Sequence, residues 1–277
     1  VRAEIILVAS AFFHSSWNFI FKRLNPKHSV LLLIVTTATL TSVCLAPLTG
    51  GLRIGTTLGF VFTITAGLFE AGYFHSLSRT YETAPFGISY SIMRGGAMLL
   101  VTIISVLFLS EPLSSIKLIG MSLLVLGIFL TPSKDKDTIS RSGFFWALSC
   151  SVFIAGYHIF YGLALAEGVT QVGLFALSML TSVPFLALKS RAIALKDIKK
   201  IDSKSYRWII FAGILSGGSF ILFLYGLKNS YAGVAISLRN TSILFSQGFA
   251  WWLGERLTKV QWLGISAIFL GALLIGQ

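Results

Sequence analysis

The chain is predicted to be an all-α membrane protein with ten transmembrane helices arranged as two inverted five-helix repeats. Three observations carry that expectation. Of the 277 residues, 55% are hydrophobic and only 12% are charged, with a mean hydropathy of +0.83, whereas an average soluble domain carries about 25% charged residues. Ten apolar stretches follow one another, each long enough as a helix to cross a hydrocarbon layer of about 30 Å. One pattern also occurs twice: an arginine inside an apolar run, then Glu-x-Leu-Ser/Thr, then a pair of glycines. The first copy holds Arg94, Glu111, Leu113, Ser114, Gly120 and Gly127, and the second holds Arg239, Glu255, Leu257, Thr258, Gly264 and Gly271. Glu111 and Glu255, Gly120 and Gly264, and Gly127 and Gly271 are each 144 positions apart, so about half of the chain repeats the other half.

Taken in order, the first run (4–24) carries a stripe of His14, Trp17, Asn18 and Phe21 at i, i+3, i+4 and i+7, all on one helix face. Lys22 extends this stripe to the membrane edge. The second run (28–47) contains Cys44, the third (56–78) contains Glu70 and Tyr73, and the fourth (84–109) contains Arg94. Ser114 is placed to cap the fifth (114–131), whose Gly120 and Gly127 share a face and permit close packing. The sixth (142–164) holds Cys150 and a Tyr157, His158 and Tyr161 patch, which echoes Trp17, Asn18 and Phe21 at an offset of 140. The seventh (169–188) leads into a basic segment, and the eighth (205–227) offers Ser216, Gly217, Gly218, Ser219 and Tyr225. Arg239 and Asn240 lie in the ninth (232–253), and Thr258 is placed to cap the tenth (258–276), with Gly264 and Gly271 along it. Helices are expected throughout, because these runs are unbroken and a barrel strand would alternate over about ten positions. A helix also satisfies every backbone group within the span.

The two repeats are expected to be residues 1–133 and 134–277. Five spans in each half force the halves into opposite orientations, the construction of many secondary transporters, with substrate near the midplane between them. The connections are short, so function must reside among the helices. A net charge of +12 would suggest nucleic acid in a soluble protein, but the basic residues are concentrated in alternate loops. The loops after runs 1, 3, 5, 7 and 9 hold sixteen Lys and Arg against four on the other side. The positive-inside rule then puts both termini outside, with no nucleic-acid partner implied. The cluster Lys189, Arg191, Lys196, Lys199, Lys200, Lys204 and Arg207 serves either as a topology anchor or as a site for anionic lipid or a partner. The first run is of spanning length, so a cleaved signal peptide is not expected. The two cysteines offer neither disulfide nor metal spacing.

Glu70, Arg94 and Arg239 are strong charges well inside runs, each costing at least ~2.5 kcal/mol if left facing lipid. The arginines either bind a carboxylate or phosphate, which the guanidinium fork matches, or pair with Glu70 or with helix-end carbonyls and lock the bundle. Glu70 can neutralise only one of them, so residual positive charge favours an anionic or zwitterionic ligand. Glu70 is either a proton carrier or a permanent counter-ion. The aromatic patches suit a pocket that stacks on a substrate, and they suit helix packing too. His14 and His158 either carry protons or are satisfied by backbone carbonyls. No metal set or nucleotide loop is present, so no cofactor and no ATP hydrolysis are expected. The Glu-x-Leu-Ser/Thr segments read as structural, an acid near a helix N-terminus followed by a cap.

His14-Ser15-Ser16-Trp17-Asn18 with Lys22, Met93-Arg94-Gly95, Ser110-Glu111-Pro112-Leu113-Ser114, Leu238-Arg239-Asn240-Thr241-Ser242 and Leu253-Gly254-Glu255-Arg256-Leu257 together resemble the EamA family of the drug/metabolite transporter superfamily. The resemblance covers nearly the whole chain as two five-helix domains. It implies a basket in which helices 1, 3, 4, 6, 8 and 9 enclose a cavity while 5 and 10 pack at the periphery. It also implies cytoplasmic termini, against the charge count, and Asn240 stands where relatives often place an acid.

The expectation is a secondary active transporter, an exporter of a small anionic or zwitterionic metabolite such as an amino acid, working by alternating access. Protons are the candidate coupling ion, and the bacterial cytoplasmic membrane is the expected location. The candidate substrate-binding residues are His14, Trp17, Asn18, Glu70, Tyr73, Arg94, Tyr157, His158, Tyr161, Arg239 and Asn240. The alternatives are a passive channel or facilitator and an intramembrane transferase using His14 or His158 as base, for which no nucleophile or metal stands at suitable spacing.

Overall fold

Polar caps placed between apolar runs start and stop the helices. The computed structural model describes residues 3–24, 28–48, 51–132, 139–190, 198, 201–228 and 238–277. Among them it has ten α-helices and no strand: α1 (Ala3–Arg23), α2 (His28–Leu45), α3 (Thr57–Thr83), α4 (Phe86–Phe108), α5 (Ser115–Leu130), α6 (Arg141–Ala166), α7 (Gln171–Ser190), α8 (Ser203–Lys228), α9 (Ser242–Trp252) and α10 (Lys259–Ile275). Seven of these, α1 to α4 and α6 to α8, are long and apolar enough to cross a membrane. The shorter α5 and α10 have 16 and 17 residues, and α9 has 11. Residues 238–240 are helical and turn at 241 into α9. Positions 232–237 of the ninth expected run lie outside the described residues, as do Arg191, Lys196, Lys199 and Lys200 of the basic segment.

The caps are visible. Ser114 accepts from the Lys117 amide at the head of α5, and Thr258 forms a reciprocal capping box with Gln261 at the head of α10. Thr56 and Ser140 cap α3 and α6 in the same way. Each such cap is worth about 1 kcal/mol.

Helix pairings recur when five is added to each helix number. α3 packs on α6 as α8 packs on α1, α4 on α6 as α9 on α1, and α7 on α3 as α2 on α8, while α5 packs on α10 and α4 on α9. At the α5–α10 crossing the repeat glycines meet. A Cβ at Gly120 would lie 2.8 Å from the Gly271 carbonyl oxygen, and one at Gly127 would lie 2.5 Å from that of Gly264. The four glycines therefore let two backbones touch, with the helices running in opposite chain directions. Outward, the molecule presents large apolar side chains, among them Leu107, Phe108, Phe129, Trp251, Trp252 and Leu263. So broad an exposed apolar surface suits hydrocarbon and not water.

The two ends of the bundle differ. At the end where α1 stops, Lys22 Nζ donates to the carbonyls of Tyr81 (2.5 Å) and Ala84 (2.7 Å). Glu255, just after α9, accepts from the amides of Phe86 (2.5 Å) and Gly87 (2.9 Å) at the head of α4. Ser140 Oγ donates to the Thr83 carbonyl at 3.2 Å, bringing the start of α6 to the same junction. Five helix ends are thereby tied together on the side of the basic loops. At the opposite end Glu111, the repeat partner of Glu255, is 2.6 Å from Lys117 on the surface.

Candidate functional site

A cavity of about 240 Å³ lies between α4, α6, α8 and the residues leading into α9. Its wall includes Arg94, Met98 and Val101 from α4, Ile154, His158 and Tyr161 from α6, Phe223 from α8, and Arg239 with Asn240. These residues occupy the middle of α4 and the later parts of α6 and α8, away from the Lys22–Glu255 junction. The cavity is therefore displaced toward the end from which α1 starts, where Ser10 of α1 and Ser219 of α8 exchange hydrogen bonds at 2.7 and 3.1 Å.

Arg239 is 1% exposed and Arg94 is 7% exposed, yet among the described residues neither meets a carboxylate. Arg239 Nη1 donates to Ser10 Oγ at 2.9 Å, while its Nε and Nη2, and the Nε of Arg94, are buried without a partner among the described residues. Its guanidinium carbon lies 4.1 Å from the Phe223 ring centroid and 4.9 Å from that of Phe220. Such contacts are worth about 0.5–2 kcal/mol each, and they hold the planar head without neutralising it. Two arginines lining one largely apolar cavity, with donor groups to spare, can take a carboxylate or phosphate. Asn240 Nδ2 points at Met98 Sδ, 3.7 Å away, a weak acceptor that a ligand oxygen can displace.

Glu70 does not pair with either arginine. Buried on α3, its Oε1 accepts from the Tyr161 hydroxyl, and Oε2 has no partner among the described residues. Tyr161 also stands 3.0 Å from Ser178 Oγ. Because Tyr161 lines the cavity, its hydroxyl links the acid to the cavity wall. The counter-ion alternative for Glu70 is thus replaced by a hydrogen bond from a phenol.

Of the eleven sequence candidates, Arg94, His158, Tyr161, Arg239 and Asn240 face the cavity together. His158 Nδ1 donates to the Ile154 carbonyl of its own helix at 2.8 Å, which leaves Nε2 as the lone-pair nitrogen of the neutral ring. Tyr157 stacks on His158 with centroids 4.5 Å apart, and Tyr73 packs on Tyr157. The helix-1 candidates occupy the packed layer beside the cavity. Trp17 Nε1 donates to His14 Nδ1 (3.4 Å), Asn18 Nδ2 donates to the His14 carbonyl (2.9 Å), and the Tyr81 hydroxyl donates to Asn18 Oδ1 (2.9 Å). His14 reaches the site indirectly, edge-on to the Phe220 ring that underlies Arg239. Phe220, Phe223, Met98, Ser10 and Ser178 were not legible as site residues, since apolar and small side chains in an apolar helix carry no distinguishing signal.

The model of the EamA-like transporter family matches residues 141–277, and that of the Small Multidrug Resistance protein matches residues 34–124. A relative from Sinorhizobium sp, described as an uncharacterized transporter in cobO 3'region, is 27% identical over 142 residues, which make up 50% of this chain and 98% of the relative. A solved crystal structure superposes with a TM-score of 0.68 over 99% of this chain and 96% of its own, at 16% identity, a likeness of fold alone. The chain is an integral, multi-pass membrane protein whose residues 141–277 are similar to the EamA-like transporter family.

Proposed function

We propose that the protein is a secondary active transporter exporting a small anionic or zwitterionic metabolite, of which an amino acid is the type, by alternating access to the Arg94–Arg239 cavity. The observation that carries the reading is the pair of buried guanidinium groups lining one cavity with no carboxylate partner among the described residues. A carboxylate ligand supplies the missing counter-charge, while the apolar wall of Ile154, Phe223 and Leu224 accommodates the remainder. The inverted-repeat reading, with units 1–133 and 134–277, is supported by pairings that recur on adding five to each helix number. It is supported too by a relative almost wholly accounted for by half of this chain. The bacterial cytoplasmic membrane is the proposed location, in keeping with a bacterial relative. Glu70, joined to the cavity by Tyr161 and paired with no cation among the described residues, is the proposed proton site, because an acid buried at membrane depth is a functional residue by default.

The test is uptake and counterflow in liposomes, preceded by a thermal-shift screen of amino acids against their methyl esters. A ligand that binds only the folded state raises its stability. Amino acids are expected to raise Tm and their esters, lacking the carboxylate, are not. Arg239→Ala and Arg94→Ala are each expected to cut saturable flux at least about tenfold, the scale of a lost charge-assisted hydrogen bond, with the protein still folded. Unchanged flux in both variants would overturn the anion-clamp reading.

A further inference from the structure

A second cavity, of about 450 Å³, lies on the lipid-facing side between α1, α8 and α9, separate from the Arg94–Arg239 site. Its walls are apolar and aromatic, with Phe12, Phe19 and Ile20 from α1, Trp208, Phe211 and Leu215 from α8, and Phe249 and Trp252 from α9. Phe19 stacks on both Phe249 and Trp252, at 4.7 and 5.5 Å between centroids, and so joins α1 to α9 along the back wall. Phe12, Trp208, Phe211 and Trp252 are 43–67% exposed, so the groove opens toward lipid. At one end its lining becomes basic: Arg23 closes α1, and Lys204 lies in the first turn of α8. Both are exposed, and neither pairs with a carboxylate among the described residues. The nearby Asp202 carboxylate is engaged in accepting from the Lys204 and Ser205 amides at 3.2 and 3.3 Å.

Length and polarity agree on one occupant. From Phe12 to Leu24 along α1, at about 1.5 Å per residue, the groove is about 18 Å long, close to half of a hydrocarbon core of about 30 Å. It thus runs through a single leaflet from mid-membrane to the headgroup level. The basic end lies on the side with the excess of Lys and Arg, where an anionic leaflet would be. We propose that this groove is a binding site for one phospholipid with an anionic headgroup, its acyl chain lying along the aromatic wall and its phosphate held by Arg23 and Lys204. The lipid would join α1, α8 and α9, three of the helices that carry or support Arg239. The site does not depend on the identity of the transported substrate.

Native mass spectrometry of the detergent-purified protein, titrated with phosphatidylglycerol or phosphatidylcholine of equal chain length, tests this directly. One phosphatidylglycerol is expected to bind about tenfold or more tightly than phosphatidylcholine, and the Arg23→Ala/Lys204→Ala variant to remove that preference. Leu215→Trp, which fills the groove and leaves the basic residues intact, is expected to lose both lipids, and glycerol 3-phosphate alone is expected not to compete. A melt followed by circular dichroism checks that each variant is folded. Equal binding of the two lipids, an unchanged preference in the double variant, full competition by glycerol 3-phosphate, or a dimer that the groove variants dissociate would each overturn the proposal.

Discussion

Arg239 shows how much a single residue can reveal before the fold is known. A guanidinium deep in an apolar run cannot be left facing lipid, so Arg94 and Arg239 stood out in the sequence, and they line the same cavity. Their aromatic support did not stand out, because Phe220 and Phe223 are ordinary residues for an apolar helix. The stripe on α1 was legible as a face and not as a function: His14, Trp17 and Asn18 do point inward, but their polar groups hydrogen-bond among themselves and to Tyr81. Glu70 resolves the other way. Charge arithmetic offered it an arginine, whereas the fold offers Tyr161. Glu70→Gln keeps the acceptor and the volume while removing the ionisable group. In liposomes it is expected to retain counterflow within about twofold and to lose accumulation driven by a pH gradient by at least about tenfold, the scale of a general proton-transfer role. Equal gradient-driven accumulation in the variant would show that Glu70 carries no proton.

At the scale of elements, the doubled Glu-x-Leu-Ser/Thr and glycine pattern separates into two structural devices. The glycines make the α5–α10 contact, where a side chain at Gly127 would collide with the Gly264 carbonyl. Gly127→Val is expected to destabilise the protein by about 1–3 kcal/mol, the usual cost of overpacking, read as a lower Tm in detergent, whereas Gly162→Ala, with open space around it, is expected to change Tm little. The glutamates are unequal despite their equivalent sequence positions. Glu255 binds the head of α4, while Glu111 pairs with Lys117, whose counterpart in the second copy is Gln261, so the shared glutamate alone could not foretell either contact. Together with Lys22 on the α3 terminus, Glu255 closes the basic-loop end. Ser15 is buried on α1 with a hydroxyl that has no partner among the described residues, about 10 Å inward of Lys22 at 1.5 Å per residue. In a chain whose own cysteines are replaced, a thiol introduced as Ser15→Cys is expected to label slowly from the basic-loop side, and at least about tenfold faster once Lys22→Ala and Glu255→Ala remove these charge-assisted contacts. Labelling that does not change would reduce the junction to a pair of helix caps.

For the whole molecule, the asymmetry of the two ends amounts to a direction. The helical class and the order of the helices were legible because each must satisfy its backbone within an apolar stretch, although among the described residues seven of the ten expected runs form helices of spanning length. Which end Lys22 and Glu255 would tie was not legible, since such ties are contacts between helix ends far apart in sequence. The junction of Lys22, Glu255 and Ser140 ties one end, and the cavity sits toward the other, where α1 begins. Charge places that cavity end outside: sixteen Lys and Arg lie on the tied side against four on the other. The resemblance noted from the sequence implies the opposite orientation. Val101 lines the cavity, and Val101→Cys in a chain with Cys44 and Cys150 replaced by serine and alanine reports on which compartment reaches it. With a membrane-impermeant maleimide, intact cells are expected to label Val101→Cys, and excess transported anion is expected to slow the labelling by occupying the site. Cells that label only after permeabilisation would reverse the orientation. Protection by substrate in that case would still locate the site, because the cavity is fixed by the helices and the sidedness only by the distribution of charge.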